Sequence, residues 1–286
     1  MQETTFPVEI FVHDDASTDG TADIVREYSE KYHKLFWTLM QTENQYSKNR
    51  GVFFNLLQKQ RGEFIAICEG DDYWTSSRKI QKQFEQMQKN PTASFCFHNT
   101  HIIDNLGNLS GEIRPYNGSF LHSISELFLN NFIHTSSILF RRSKFLGIPE
   151  SLKNSPMGDW PLCILLAENG PFLYLDEIMS RYRLHSGSSW SSKTQAERSE
   201  QTCRFFELLL EYFKDNQQIM EYVLNGYQIH CNNSTKEFYS LILKMESQIK
   251  NLKSELKSLK NSKIWRFSWP IRLIDKSLKL FLRKIL

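Results

Sequence analysis

Residues Phe64–Trp74 read FIAICEGDDYW, and this stretch predicts the fold. The apolar run Phe64–Ile67 leads into three carboxylates, Glu69, Asp71 and Asp72. An apolar strand of this kind is typical of a parallel sheet buried on both faces, and such sheets bind ligands at the carboxyl ends of their strands. The sequence therefore predicts an α/β fold with a ligand site at this turn.

The three carboxylates lie within four positions, so they repel one another and raise each other's pKa unless a cation or hydrogen-bond donors keep them ionised. A Mg²⁺ or Mn²⁺ ion, held by one or two carboxylates and completed by substrate phosphates, would meet that need. Gly-Asp-Asp is also common turn chemistry, so an acidic turn without a metal is the alternative. The residues alone leave both interpretations open.

A second run with strand character, Val8–Val12, also ends in acids, Asp14 and Asp15. The polar residues 17–21 that follow can cap the next helix. Capping does not explain the two aspartates, because they precede the cap. From here to Phe64 the pattern alternates strand, loop and helix, which favours a mostly parallel sheet flanked by helices.

Composition and charge limit the function classes. The chain has 286 residues, 40% of them hydrophobic, which suffices for one large α/β domain and an appendage. Five scattered cysteines without a C-x-x-C pair indicate reduced thiols in a cytosolic protein, not a disulfide frame or a zinc site. The start shows no signal peptide, and no apolar stretch reaches the roughly 18 residues of a spanning helix.

Two motifs carry a family resemblance. Residues 13–21, HDDASTDGT, resemble the D-D-x-S-x-D-x-T signature of family-2 glycosyltransferases with the GT-A fold. Residues 69–74, EGDDYW, followed by Lys79 and Gln83, resemble the metal-binding D-x-D region of bacterial members. Together, in this order, the motifs are more specific than either alone, and the resemblance extends from residue 1 to about 190.

The resemblance implies a nucleotide-sugar donor, a glycan or lipid-linked acceptor, sugar transfer with inversion, and a Mg²⁺ or Mn²⁺ ion on the diphosphate. Carried over by residue, Asp14 and Asp15 would lie against the nucleoside. Glu69 and Asp71 would face the ribose, and Asp72 would coordinate the metal.

The family pattern also implies a general base. Asp159 occupies the position of the acid that deprotonates the acceptor hydroxyl, and Trp160 beside it could stack on a sugar face. An aspartate at a helix start is also commonly a cap or a partner of the helix dipole. Lys48 is a candidate for neutralising the diphosphate, although it can equally be a solvated surface charge.

Residues 182–185, YRLH, resemble the family's Y-R-x-H element. The resemblance implies that His185 completes the metal shell and that the following Gly/Ser loop closes over the donor. Arg183 is a candidate for holding the diphosphate. A histidine at a strand end can also be an ordinary surface residue.

The sequence predicts four segments: a glycosyltransferase domain over 1–192, a helical extension over 193–235, a heptad helix over 236–262 and a tail over 263–286. Apolar residues in the heptad helix alternate spacings of four and three, which favours either a short coiled coil, and so a homo-oligomer, or packing on the domain. They are Phe238, Ile242, Met245, Ile249, Leu252, Leu256 and Leu259.

The tail carries seven Lys/Arg and one Asp, a charge of +6, whereas residues 1–262 carry 28 − 31 = −3. Basic residues interleaved with Trp and Phe favour an anionic membrane surface, and no nucleic-acid reading motif accompanies them. The expected protein is therefore a cytoplasmic glycosyltransferase of surface-polysaccharide synthesis, peripheral on the inner face of the cell membrane.

One departure from the family pattern supports an alternative. The family's first strand and helix precede the acidic turn at Asp14, and the residues before Val8 resemble only the end of that helix. The expectation is thus an N-terminally truncated domain, and the alternative function is a catalytically inactive, membrane-associated interaction protein.

Overall fold

The structure is a computed structural model of the chain. It describes residues 1–46, 51–118, 120–185, 187–188 and 190–261, with side chains described as far as 231 and again over 248–258. The chain divides into two compact units, Met1–Asn232 and Asn233–Leu286, and all the described strands lie in the first.

Strands and helices of the described residues alternate from β1 to β3, as expected, whereas several later strands follow one another directly. They are β1 (Ile10–Asp14), β2 (Phe36–Met40), β3 (Phe64–Ala66), β4 (Tyr73–Trp74), β5 (Phe95–Ile103), β6 (Leu109–Ile113), β7 (Phe120–His122), β8 (Leu139–Arg141) and β9 (Phe172–Arg183). The predicted strand before the carboxylates is thus β3, and the acidic turn joins it to β4.

The strands form two hydrogen-bonded sheets. The smaller is the parallel pair β1–β2, and the larger has seven strands with the path β3-β8-β5-β9-β4 and with β6 and β7 attached to β5 and β9. Parallel pairing holds for β1–β2 and for the long ladder between β5 and β9, whereas the remaining ladders are antiparallel. The α/β class is confirmed, with a mixed sheet.

Six α-helices accompany the strands within the described residues. They are α1 (Thr21–Lys31), α2 (Val52–Gln58), α3 (Lys79–Lys89), α4 (Asp159–Glu168), α5 (Gln195–Tyr212) and α6 (Gln217–Asn261). None of these helices combines the length with the apolar character that crossing a bilayer requires.

Helix α4 forms the centre of the core. Its residues from Trp160 to Ala167 are all buried, whereas α1 buries none of its residues. A helix that is apolar on every side is stable only when other elements surround it. The sheet and α5 pack against α4. The position of the first residue of this helix, Asp159, is therefore fixed by the core.

Helix α6 crosses the boundary that the sequence predicts between the helical extension, 193–235, and the heptad helix, 236–262. It runs without interruption from Gln217 to Asn261, because this stretch includes no proline that would break the hydrogen-bond ladder. In the second unit, Ile249, Leu252 and Leu256 of this helix are exposed. The basic tail 263–286 lies outside the described residues.

The connection between α4 and β9 depends on Gly170, which has φ +155°. A Cβ at this position would lie 2.6 Å from the carbonyl oxygen of Thr92, a backbone atom. Gly170→Ala should therefore lower the free energy of unfolding by about 1–3 kcal/mol, measured by urea denaturation. Gly107→Ala is the matched control, since Gly107 also has a positive φ, +86°, but open space around its Cβ position. Equal losses in the two variants would contradict the contact with Thr92.

Candidate active site

The acidic turn is held between two strands of the larger sheet. Strand β4 pairs antiparallel with β9, with Tyr73 opposite Arg181 and Trp74 opposite Ser180. Within the turn, the amide of Asp72 donates to the carbonyl oxygen of Glu69 at 3.1 Å. This pairing brings Asp72 beside the end of β9, where Arg183 lies.

Asp72 is the most enclosed of the three acids, with 8% of its surface exposed. Its Oδ1 accepts a hydrogen bond from the backbone amide of Arg183 at 3.1 Å, whereas its buried Oδ2 makes no hydrogen bond. Burial raises the pKa of Asp72 to about 6; the Arg183 amide and the side chain of Ser136 oppose this shift, and the charge of Asp71 adds to it. A buried carboxylate oxygen without a donor is costly, so this atom is suited to a cation.

Three side chains form a candidate metal site. Ligand atoms of Glu69, Asp72 and His134 all lie within 4.8 Å of one another. Burial of the carboxyl group raises the pKa of Glu69 well above its usual value, and repulsion from Asp159, Asp72 and Asp71 adds to the shift. Other atoms of the residue are exposed to solvent. Carboxylate oxygens and a neutral imidazole suit Mn²⁺, and the unbonded Asp72 Oδ2 is available as a ligand atom for the ion.

The sequence reasoning missed His134. Its Nδ1 lies 3.6 Å from Asp72 Oδ2, and its ring packs on Tyr182 with 4.1 Å between ring centroids. Burial lowers the pKa of His134 to about 4, with the charge of Asp71 opposing that shift, so the imidazole is neutral at pH 7. The residues around it carry no motif, and its approach to Asp72 is visible only in the folded chain.

The predicted metal ligand His185 lies next to a different acid. Its Nε2 is 2.9 Å from Asp71 Oδ2, so the turn carries two histidine–aspartate pairs, His185 with Asp71 and His134 with Asp72. Among the described residues, the grouping that could hold a metal includes His134 and not His185.

Trp74 and Lys79 support the metal site from behind. The indole Nε1 of Trp74 donates to the carbonyl oxygen of Ser136 at 2.9 Å, and the amide of Ser136 donates to His134 Nδ1 at 3.3 Å. The ammonium of Lys79 lies 4.1 Å from the centre of the Trp74 ring, and Lys79 is fully buried. Trp74 therefore links the buried lysine to the imidazole.

The second acidic strand end has two distinct aspartates. Asp14 is buried, its Oδ2 accepts from the amide of Ser17 at 3.2 Å, and its buried Oδ1 makes no hydrogen bond. Asp15 accepts from the amides of Gln45 and Tyr46 at 2.7 and 2.9 Å. Asp15 thus holds the segment after β2, and Asp14 keeps an oxygen available for a ligand.

Arg183 and Lys48 are the two cations predicted to hold the diphosphate. Arg183 lies at the acidic turn, where its Nε donates to the carbonyl oxygen of Asp71 at 3.2 Å and its Nη1 approaches that of Asn105 at 3.4 Å. Lys48 lies outside the described residues.

Asp159, the predicted base, is the first residue of α4. Its Oδ2 accepts from the side-chain amide of Asn131 at 3.0 Å, and its charge contributes to raising the pKa of Glu69. The structure therefore brings Asp159 into the neighbourhood of the acidic turn, about 90 residues away in sequence. Trp160 is 4% exposed and its Nε1 donates to the carbonyl oxygen of Leu127 at 2.7 Å, so the idea that it stacks on a sugar is wrong.

Comparison with known proteins identifies the family. The sequence model of the family described as glycosyl transferase family 2 matches residues 1–147. The chain belongs to glycosyltransferase family 2. The resemblance seen in the sequence motifs is confirmed.

The relatives of this family-2 chain include an uncharacterised protein of Mycobacterium tuberculosis, 37% identical over 195 residues, which are 67% of this chain and 54% of that protein. The chain thus spans about half the length of this relative. A putative teichuronic acid biosynthesis glycosyltransferase of Bacillus subtilis is 26% identical over 199 residues, 66% of this chain and 72% of that protein.

The fold is similar to that of a mannosyltransferase of known structure. A mannosyltransferase from Pyrobaculum calidifontis, in complex with GDP-Man and Mn²⁺, superposes with a TM-score of 0.52 at 15% identity, covering 92% of this chain and 75% of the other. The GT-A-like architecture expected for family 2 is confirmed.

The two histidines of the turn can be separated by substitution. His134→Ala should weaken Mn²⁺ binding, measured by calorimetry, by at least about 10-fold, since the loss removes a donor next to the unbonded Asp72 oxygen. His185→Ala should have a smaller effect, because its imidazole faces the more exposed Asp71. His33→Ala, at an exposed position after α1, is the control. The reverse order of the first two effects would return the ligand role to His185.

Proposed function

We propose that the protein is a metal-dependent glycosyltransferase that transfers a sugar, with inversion, from a nucleotide-sugar donor to a glycan or lipid-linked acceptor in surface-polysaccharide synthesis. The observation that carries the proposal is the buried, unbonded Oδ2 of Asp72 in a cluster with Glu69 and His134, with Asp159 close enough to affect the pKa of Glu69. The names of the Bacillus relative and of the Mn²⁺-bound mannosyltransferase support the same class of reaction.

Glu69, Asp72 and His134 would hold a Mg²⁺ or Mn²⁺ ion, and His185 stands next to them through Asp71. Once bound, such an ion neutralises charge on the diphosphate as the nucleoside diphosphate leaves. The protein's contribution is to orient Asp72 through the hydrogen bond from the Arg183 amide, which also opposes the rise in the pKa of this carboxyl group.

The donor would lie between the two acidic strand ends. Asp14 has an oxygen available for the base or ribose, and Asp15 orders the segment that contains Gln45. Arg183 supplies a guanidinium at the other end, and Lys48 is the second candidate for the diphosphate. Glu69 and Asp71 complete the ribose side.

Asp159 would act as the general base. An alcohol is a weak nucleophile at pH 7, so a base must take its proton as the new bond forms. In a single displacement the acceptor oxygen bonds to the anomeric carbon, its proton passes to the Asp159 carboxylate, and the bond to the diphosphate oxygen breaks with its electron pair. Attack opposite the leaving group inverts the anomeric centre.

The C-terminal segments suit two partners, an anionic membrane surface and a second copy of the chain. The tail 263–286, with its charge of +6, suits an anionic membrane surface and supports a peripheral location at the cytoplasmic face. The exposed stripe of Ile249, Leu252 and Leu256 on α6 suits the same stripe of a second copy, and thus a homo-oligomer.

The role of Asp159 can be tested by Asp159→Asn. This variant keeps the size of the side chain and a hydrogen-bonding partner for Asn131, but it cannot take a proton. We expect turnover to fall by roughly 10²-fold or more while donor binding stays unchanged. Steady-state kinetics with NDP-sugars and calorimetry of donor binding measure the two quantities.

Asp72→Ala is the matched comparison, because it should abolish Mn²⁺-dependent donor binding as well as turnover. Full turnover by Asp159→Asn would assign the base to another residue. Failure of the folded full-length protein to bind any NDP-sugar with Mn²⁺ would favour the inactive interaction protein.

The membrane proposal predicts that deletion of residues 263–286 releases the protein from vesicles that contain anionic lipid. Binding of the full chain should weaken as salt is added, because screening reduces the Coulomb attraction of the basic residues. Vesicle co-sedimentation measures both effects. Binding that survives the deletion and is insensitive to salt would contradict the proposal.

A further inference from the structure

The helices after β9 lie beyond the part of the chain that the family's sequence model matches, 1–147, and they pack tightly on the domain. In α5, Phe205, Phe206 and Leu209 have no exposed surface, and neither has Val223 of α6. Complete burial of large side chains means that this packing is part of the same core. The contacts of α5 and α6 lead from this core to Asp159.

Helix α6 approaches the domain closely at Gly226. A Cβ at this position would lie 2.3 Å from the carbonyl oxygen of Phe128 and 2.5 Å from the Phe206 ring. The first of these atoms belongs to the backbone and cannot rotate away. Only glycine therefore allows α6 to lie at this distance from residue 128.

One turn further along α6, His230 reaches the residue next to the proposed base. Its ring centroid is 5.4 Å from that of Trp160 in a perpendicular arrangement, and 5.1 Å from that of Phe206 in a stacked one. Phe205 contacts the same indole, with 5.2 Å between centroids. Trp160 is thus enclosed by aromatic rings from both α5 and α6.

The segment 127–131 connects these contacts to Asp159. The carbonyl oxygen of Leu127 accepts from the indole of Trp160, and that of Phe128 lies against Gly226. The backbone of Leu129 hydrogen-bonds with the side chain of His230. Two residues later, Asn131 donates to Asp159 Oδ2. Four contacts within five residues join α6, Trp160 and the base.

We infer that Gly226 and His230 of α6 are positioning residues for Asp159, acting through Trp160 and the segment 127–131. The inference rests on the proposed role of Asp159 as general base. Neither residue touches substrate; together they fix the backbone that carries Asn131 and the indole beside Asp159. A base displaced by a fraction of an ångström takes the acceptor proton less efficiently, whereas the donor site at the acidic turn is unaffected.

The test uses the full chain with Mn²⁺, an NDP-sugar donor and the acceptor used for the wild type. His230→Ala and Gly226→Ala should lower kcat by on the order of 10- to 100-fold, with the KM and the calorimetric affinity for the donor unchanged within about twofold. His230→Phe should restore only part of kcat, because it keeps an aromatic ring against Trp160 and Phe206 but loses the hydrogen bond to the backbone of Leu129. Ile229→Ala, at an exposed neighbouring position of α6, should behave as the wild type.

Three results would overturn the inference. Wild-type kcat in His230→Ala would show that the His230 side chain does not position the base. Parallel loss of donor affinity and kcat in both alanine variants would show a general packing role. A fully active Asp159→Asn would assign the base to another residue and so remove the inference, whereas a wild-type chain that transfers no sugar would refute the proposed function itself.

Discussion

Mutual repulsion among Glu69, Asp71 and Asp72 is the constraint on which the site depends. Three carboxylates within four positions lower their free energy by moving apart or by taking up protons, and burial of Asp72 adds to that tendency. The chain opposes it with backbone donors, chiefly the amide of Arg183, which reaches Asp72 because β4 pairs with β9. The charge cluster is therefore maintained by a strand pairing that joins residues more than 100 positions apart.

The cations nearest this cluster offset little of its charge: the charge of Arg183 lowers the pKa of Asp72 only as a minor cause. The guanidinium of Arg183 is engaged with backbone carbonyl oxygens, including that of Asp71. Burial lowers the pKa of Lys79 to about 7, and the groups that act on it are the thiols of Cys96 and Cys68, not carboxylates. Its ammonium faces the ring of Trp74. Within the described residues, the negative charge around Asp72 Oδ2 thus remains for an external cation to balance.

The sequence could predict the local features of the site, because local chemistry carries them. An apolar run that ends in acids predicts a strand with a ligand turn, and Asp159 at a helix start is recognisable by its motif. His134 could not be predicted, since its relation to Asp72 depends on how distant strands pair. Trp160 was predicted to face a sugar but is buried, for a related reason. The rings that bury it come from α5 and α6, which no motif relates to α4. The mixed sheet likewise follows from long-range pairing.

The position of Asp159 balances attraction against repulsion. Its charge destabilises ionised Glu69, so a carboxylate on a mobile loop would move away from the acidic turn. At the first residue of α4 it instead interacts favourably with the positive end of the helix dipole and accepts from Asn131. Because α4 is buried from Trp160 to Ala167, the helix cannot shift to relieve the repulsion. A charged residue that begins a buried, largely apolar helix is thereby kept close to the acids of the turn.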